Sequence, residues 1–275
     1  MKKFFILVVC LLFITGTAQA KQIKIDEENG IYHITLSGNS IKKHIKFIST
    51  NGLKTNKEIH ELTKSKLTIN AGFFDPNNEK TISYIVSNGT TVEDPYLNEG
   101  LYTNPILREN LKKILNRSEF RITECDKKLN YSIVPHNTPT EKFCTVVTSA
   151  QGGPQLLPEL KLEEEFFILK DAEGNIIRQS ASILDRTART LIGIKDDEVH
   201  ILIITNKNPK NIFEARDLCK SLGLQYAMAF DGGSSTSLDY KKIHITSTQG
   251  FSEDTGRRLK SFMIITSKIK KYYNN

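Results

Sequence analysis

Asp231, Gly232, Gly233, Ser234, Ser235 and Thr236 leave a nearly unbroken apolar run, Leu224–Phe230. A carboxylate there can act as an acid or base, and the N–H groups of a glycine- and hydroxyl-rich loop can converge on an anion. Taken alone, the same residues read equally well as a tight turn that Asp231 caps itself. Asn70-Ala71-Gly72-Phe73-Phe74-Asp75 is a second such segment. Asn70 donates and accepts, Gly72 admits a close approach, Phe74 can stack on a sugar face, and Asp75 adds a second carboxylate. By itself this segment also fits a buried phenylalanine pair behind an Asx turn. Gln151-Gly152-Gly153-Pro154 is a glycine-rich entry to a strand, in which Gln151 and Gly153 are the candidate ligand contacts. Arg189, followed by Thr190, offers a planar donor fork suited to phosphate or carboxylate; the alternative is a surface salt bridge.

These segments need strand ends to hold them. Gln22–Asp26 and Ile31–Leu36 flank the turn signal Glu28-Asn29-Gly30 and predict a hairpin. His44–Ser49 and Lys66–Asn70 read as strands, and Lys57–Ser65 as a helix with Ile59 and Leu62 on one face. Phe166–Lys170 and Asn175–Arg178 form a second predicted hairpin, and Leu191–Ile194 and Val199–Thr205 flank a third turn. A helix capped by Asn211 places Ile212, Ala215, Leu218 and Leu222 on one face and ends at Gly223. Leu224–Phe230 then has the pattern of a strand buried on both faces. Residues 77–144 show little sustained periodicity beyond a helix around Ile106–Leu115, and are expected to be a long insertion, an elaboration or lid on the main domain. The expected fold class is α+β: a mixed, largely antiparallel sheet core with flanking helices.

In this order, Asn-Ala-Gly-Phe-Phe, Gln-Gly-Gly-Pro, Arg-Thr-Leu-Ile-Gly and Asp-Gly-Gly-Ser-Ser-Thr resemble the motifs of the phosphodiester glycosidase domain. Asn70, Gly72 and Phe74 fall on its Asn-Gly-Gly-aromatic segment, and Arg189, Thr190 and Gly193 on its Arg-Thr-x-x-Gly segment. Asp231, Gly232, Gly233, Ser234 and Ser235 fall on its Asp-Gly-Gly-(Gly)-Ser-Ser loop. Ala71 replaces a glycine, and the last loop has two glycines where many members have three. The resemblance implies cleavage of a sugar-1-phosphate diester on the glycosidic side, releasing the sugar and leaving a phosphate monoester. Asp231 is the first candidate for the essential carboxylate and Asp75 the second, with Asn70 grouped with them as catalytic. Gly72, Phe74, Gln151, Gly153, Arg189, Thr190, Gly232, Gly233, Ser234 and Ser235 are the expected substrate contacts. The scheme calls for no metal and no cofactor. The competing reading is a non-catalytic envelope protein that binds a glycan or phosphoglycan in the same pocket. A serine hydrolase is disfavoured, because there is no Gly-x-Ser-x-Gly elbow and no histidine in the four segments.

The whole chain sets the context. At 275 residues, with 39% hydrophobic and 8% aromatic residues, it has ordinary globular composition, which excludes disorder and collagen-like repeats. Lys2 and Lys3, the apolar run Phe4–Ile14 and Ala18-Gln19-Ala20 have the form of a secretion signal cleaved after Ala20. Residues 21–275 are then a single mature domain, secreted or periplasmic, with no stable membrane insertion. Removing Lys2 and Lys3 lowers the formal charge from +7 to +5. Basic residues are spread along the chain rather than gathered into arms, so nucleic acid is not an expected partner; the resemblance implies a carbohydrate or sugar-phosphate one. Export lets Cys125 and Cys144 bridge, while Cys219 falls on the buried side of its helix as a free thiol.

Overall fold

The computed structural model describes residues 23–180, 182–247 and 255–266. The signal segment expected at 1–20 lies outside them. Three antiparallel sheets share one core. The first sheet runs in the order β1 (Ile23–Glu28), β2 (Ile31–Leu36), β14 (Glu198–Ile204), β13 (Arg189–Lys195), β15 (Tyr226–Ala229) and β10 (Gln155–Leu157). The second is β17 (Ile243–Thr246), β16 (Ser237–Tyr240), β4 (Leu67–Asn70), β18 (Leu259–Ile265) and β3 (Ile45–Lys54). The third is β6 (Thr90–Glu93), β5 (Ile85–Ser87), β9 (Cys144–Gln151), β7 (Ser118–Cys125) and β8 (Lys128–Pro135). β11 (Ile168–Lys170) and β12 (Ile176–Gln179) pair as a separate hairpin.

The sheets are welded by side chains that alternate inward from each. Ile34 and Ile201 of the first, Phe47 and Ile69 of the second, and Ile85, Phe120 and Ile122 of the third are all buried in one cluster. Phe47 makes edge-on contacts with Phe120 and Phe230, with ring centroids 6.0 and 5.8 Å apart. Such aromatic pairs contribute beyond their buried area.

Local chemistry sets the connections. Asn29 and Gly30 both have positive φ (51° and 79°), as do Asp196 and Asp197 (48° and 64°), giving tight turns at the ends of β1 and β13. Helices α1 (Asn39–Lys42) and α2 (Asn56–Thr63) flank β3. Thr55 and Glu58 form a capping box on α2, and Asn211 and Glu214 form one on α6 (Ile212–Ser221). In α2, Ile59 is buried but Leu62 is exposed, because the helix lies on the second sheet through only one edge of its face. Ile212, Ala215 and Cys219 of α6 are buried against the first sheet, and burial pushes the Cys219 thiol up to about 12. The crossover through α6 sets β15 parallel to β14 but with β13 between them. Every pairing between the described strands is therefore antiparallel.

Residues 77–144 behave differently from a lid. They supply four of the five strands of the third sheet and place Phe120, Ile122 and Ile133 in the common core. The helix expected at Ile106–Leu115 is broken at Asn110 into α4 (Pro105–Glu109) and α5 (Leu111–Leu115), preceded by α3 (Gly100–Thr103). Asn110 turns its side-chain amide back to the Ile106 carbonyl, which competes with helix continuation. Cys125 and Cys144 face each other across β7 and β9 and form a disulfide. Among the described residues no helix is long and apolar enough to cross a membrane.

Candidate active site

Two backbone segments are clamped together by one amide side chain. Asn70, at the end of β4 and fully buried, donates from Nδ2 to the Asp231 carbonyl at 2.6 Å. Its Oδ1 accepts from Thr190 Oγ1 at 2.7 Å and from the Ser237 N–H at 3.1 Å. The Asp231 N–H reaches the Ala71 carbonyl, the Phe230 N–H the Thr190 carbonyl, and the Gly153 N–H the Ala229 carbonyl. Four chain segments far apart in sequence thus meet at the end of β15.

Beside them lies a cavity of about 310 Å³. Phe74, Gly153, Arg189, Asp231, Gly232 and Gly233 line it, each from one of the four segments singled out in the sequence. Leu101, Leu107 and Ile114, from α3 to α5, form an apolar wall, so residues 77–144 do help to enclose the site. Three further arginines line it: Arg117, Arg178 and Arg257. Arg117 lies 4.1 Å over the Phe167 ring and donates Nε to the Glu165 carbonyl at 2.9 Å. Arg178 lies 4.3 Å over Phe166. Arg257 lies 4.9 Å over Phe74 and donates from Nη1 to the hydroxyls of Ser234 and Ser235, each at 3.2 Å. Stacked guanidinium groups keep their charge while presenting donors edgewise.

Asp231 is the only carboxylate among these lining residues. Burial pushes it up to about 6, although Ser235, the charge of Arg257 and the Gly232 N–H all favour its ionised form. A carboxyl poised near neutrality in a cationic cavity can exchange a proton or stabilise a developing positive charge. Behind the wall, Glu165 is buried. Its Oε1 accepts from Ser118 Oγ and the Gln155 N–H, while Oε2 has no hydrogen-bond partner among the described residues. Desolvation raises its pKa. Gly153, at φ 108°, fits against it; a Cβ at that position would overlap Glu165 Oε2.

The expected contacts divide into cavity wall and scaffold. Asn70, Gln151 and Thr190 do not line the cavity. The Gln151 side chain is held by the Tyr84 N–H and by the carbonyls of Leu115 and Arg117. Gly72 is required by packing rather than by a ligand, since a Cβ there would stand 2.6 Å from Ser83 Cβ. Asp75, expected as the second carboxylate, instead caps a turn, accepting from the Asn77 N–H at 2.9 Å outside the cavity. Most backbone donors of the 231–236 loop are already spent. The N–H groups of Gly233, Ser235 and Thr236 go to the carbonyls of Ala188, Gly232 and Gly233, and that of Gly232 turns to Asp231 itself. Arg189 is similarly committed. Its Nη2 donates to the carbonyls of Ser182, Ile183 and Asp185, and its Nε to that of Lys210. The cationic face is left to Arg117, Arg178 and Arg257, none of which sits in a recognisable motif.

Residues 63–266 match the family model described as phosphodiester glycosidase. The chain belongs to the phosphodiester glycosidase family. Among solved structures, the phosphodiester glycosidase fold here is similar to that of the zebrafish N-acetylglucosamine-1-phosphodiester alpha-N-acetylglucosaminidase catalytic domain, auto-inhibited by its pro-peptide. The TM-score is 0.63 at 12% identity, covering 90% of this chain and 82% of that one. It is also similar to a protein described as exported from Burkholderia pseudomallei, with TM-score 0.60, 11% identity, and coverage of 86% and 73%. A hypothetical protein from Synechocystis aligns with TM-score 0.55 and 14% identity, over 88% of this chain and 61% of its own length. No curated protein matches the sequence. At these identities the structural likeness establishes the shared fold, and the family match points to glycosidase-type hydrolysis.

Proposed function

We propose that this protein is an exported hydrolase that cleaves the glycosidic bond of a sugar-1-phosphate diester in a glycan or cell-envelope polymer. One observation carries the reading: a single half-buried carboxyl, Asp231, stands in a cavity lined by Arg117, Arg178, Arg189 and Arg257. A phosphodiester is a permanent anion that such a cavity would hold. Its departure as a phosphate monoester needs little protonation, so one carboxylate can suffice. Ionised Asp231 would stabilise the oxocarbenium-like centre and accept a proton from the incoming water. Arg257 would hold the phosphate and stabilise charge as it builds on the leaving oxygen. Phe73, Phe74 and Phe167 offer apolar surface for the sugar ring.

The mature protein, residues 21–275, would work as one unit outside the cytoplasm, secreted or periplasmic, with 77–144 as an insertion and the helices flanking the sheets. The Cys125–Cys144 disulfide supports an oxidising destination. The test is hydrolysis of a panel of methyl esters of sugar 1-phosphates, including N-acetylglucosamine 1-phosphate, followed as free sugar released. Turnover by wild type that is lost in Asp231→Asn is the expected result. A correctly folded wild type that binds these esters and turns over none would make it a glycan-binding protein instead.

A further inference from the structure

Phe166 holds two of the cavity's arginines side by side. It adopts a positive φ of 58° although it is not a glycine, and its buried ring is fixed against Leu101 and Ile114. Its carbonyl is turned to accept from Arg117 Nη2 at 3.5 Å, Arg178 Nη1 at 3.4 Å and Ser180 Oγ at 3.3 Å. Two like charges are thus held on one acceptor at the cavity wall. Among the described residues neither guanidinium forms an ion pair, and Arg117 Nη1, Arg178 Nε and Arg178 Nη2 have no hydrogen-bond partner. Burial and the charge of Arg178 bring the Arg117 pKa down to about 10. Glu165 is the carboxyl whose charge reaches Arg117, but it is buried behind the wall and desolvation disfavours its own ionisation.

We infer that the Arg117–Arg178 pair binds an acid group on the sugar that is released, so that the substrate is the phosphodiester of an acidic sugar, a hexuronate or a hexose 6-phosphate. The inference rests on the activity proposed above and adds the charge of the sugar to it. Asp231 and Arg257 are linked through Ser235, whose hydroxyl bonds the Asp231 carboxylate and accepts from Arg257 at 3.2 Å. Arg257 is also the arginine whose charge acts on Asp231. With the anomeric carbon beside Asp231, the phosphate on that carbon falls to Arg257. A phosphodiester carries one negative charge, which Arg257 can match alone. The pair at Phe166 is then left facing the body of the sugar, where a neutral ring offers hydroxyls but no charge. Two adjacent guanidinium groups without a counter-charge in a partly closed cavity are costly, and one carboxylate or phosphate can accept edgewise from both. C6 is where a hexose can carry such a group without losing its ring or its C1 linkage. The second phosphate of a diphosphate ester would lie on the leaving side of the anomeric oxygen, away from the sugar.

The experiment compares three methyl esters in one sugar series: the neutral sugar 1-phosphate, its 6-carboxylate and its 6-phosphate. The series is the one the panel shows to turn over, or that of N-acetylglucosamine if none does. Wild type should favour at least one acidic ester over the neutral one by about tenfold or more in kcat/KM. The two acidic arms separate a uronate from a phosphosugar. In Arg178→Gln, a change at a half-buried position with a melt as the folding control, the ratio should fall toward one. A neutral ester that matches both acidic ones in wild type would overturn the acidic sugar and leave the activity standing. So would a folded Arg178→Gln protein that keeps the full preference. Titration calorimetry of the same esters against Asp231→Asn makes the comparison without turnover. Tighter binding of an acidic ester, with a wild type inert on all three, would keep the arginine pocket and overturn the hydrolase. Equal binding with an inert wild type would overturn both.

Discussion

The Asp231 carboxyl and the two arginines nearest its loop separate chemistry from support. Asp231→Asn should cost on the order of 10²–10⁴ in turnover, measured as sugar release, without loss of a cooperative melt. If the ionised form is the working one, kcat/KM in wild type should rise along a single limb centred near pH 6 and level above it. A limb that falls through the same range would assign Asp231 as a general acid instead. Arg189 and Arg257 should respond in opposite ways. Arg189→Ala strips the donors from four backbone carbonyls and should lower stability by roughly 3 kcal/mol, read as a shifted denaturant midpoint. Arg257→Ala loses two hydroxyl contacts and a ring contact, so its melt should stay within a few degrees while KM for a phosphodiester rises. A reversal of the two outcomes would return Arg189 to the substrate.

Strands and helices show where periodicity carries information and where it stops. β13, β14 and α6 were readable because each has a long apolar pattern closed by turn or cap residues such as Asn211 and the Asp196-Asp197 pair. The four motif segments were readable because glycine and Asp or Asn cluster at strand ends, and they do meet there. The third sheet was obscured because β5 and β6 are very short and β8 is an edge strand with a broken burial pattern. The arginines of the cavity left no trace for another reason. Arg117, Arg178 and Arg257 come from unrelated parts of the chain, and only tertiary pairing makes them neighbours. Roles were hardest to read where a side chain can serve ligand or backbone alike, as with Asn70, Gln151 and Arg189; the choice depends on which carbonyls fold up against it. The Cys125–Cys144 crosslink belongs to this scale. Replacing both cysteines by serine should cost about 2–4 kcal/mol by chemical denaturation, with the 2–4 range set by loop entropy. An unchanged midpoint would show that the β7–β9 ladder holds that edge unaided.

For the molecule as a whole, acid acts on stability through two opposed sites. His33 and His200 touch at 2.9 Å across β2 and β14, and burial together with mutual repulsion lowers the His200 pKa to about 4. Desolvation lowers that of His33 too. Because both favour the neutral form when folded, their contribution is complete above pH 6.5 and is lost as pH falls toward 4. Asp231 has the reverse sign. Its raised pKa burdens the fold above pH 6, and protonation relieves that burden between about 6 and 3.8. Asp231→Asn should therefore melt higher than wild type at pH 7.5, by at most about 3 kcal/mol, with the gap closing at pH 4. His200→Gln should instead flatten the acid-side loss. Parallel pH–melting curves for wild type and both variants would refute the assignment.

The ladders that close these sheets join distant parts of the chain. Ile31 pairs with Ile204, and Ile45 with Ile265. A ribosome that has delivered β2 and β3 has made strands whose later partners, β14 and β18, do not yet exist, so the first two sheets cannot close while synthesis is under way. High contact order also slows the search once the chain is complete. The late arrival of β18 leaves an interval in which the polypeptide remains threadable through a narrow translocation channel. On the secretion reading, this topology would act as a timer: the protein crosses first and folds afterwards. Deleting 259–266 should then abolish cooperative unfolding altogether, since β3 and β4 would both lose the strand between them.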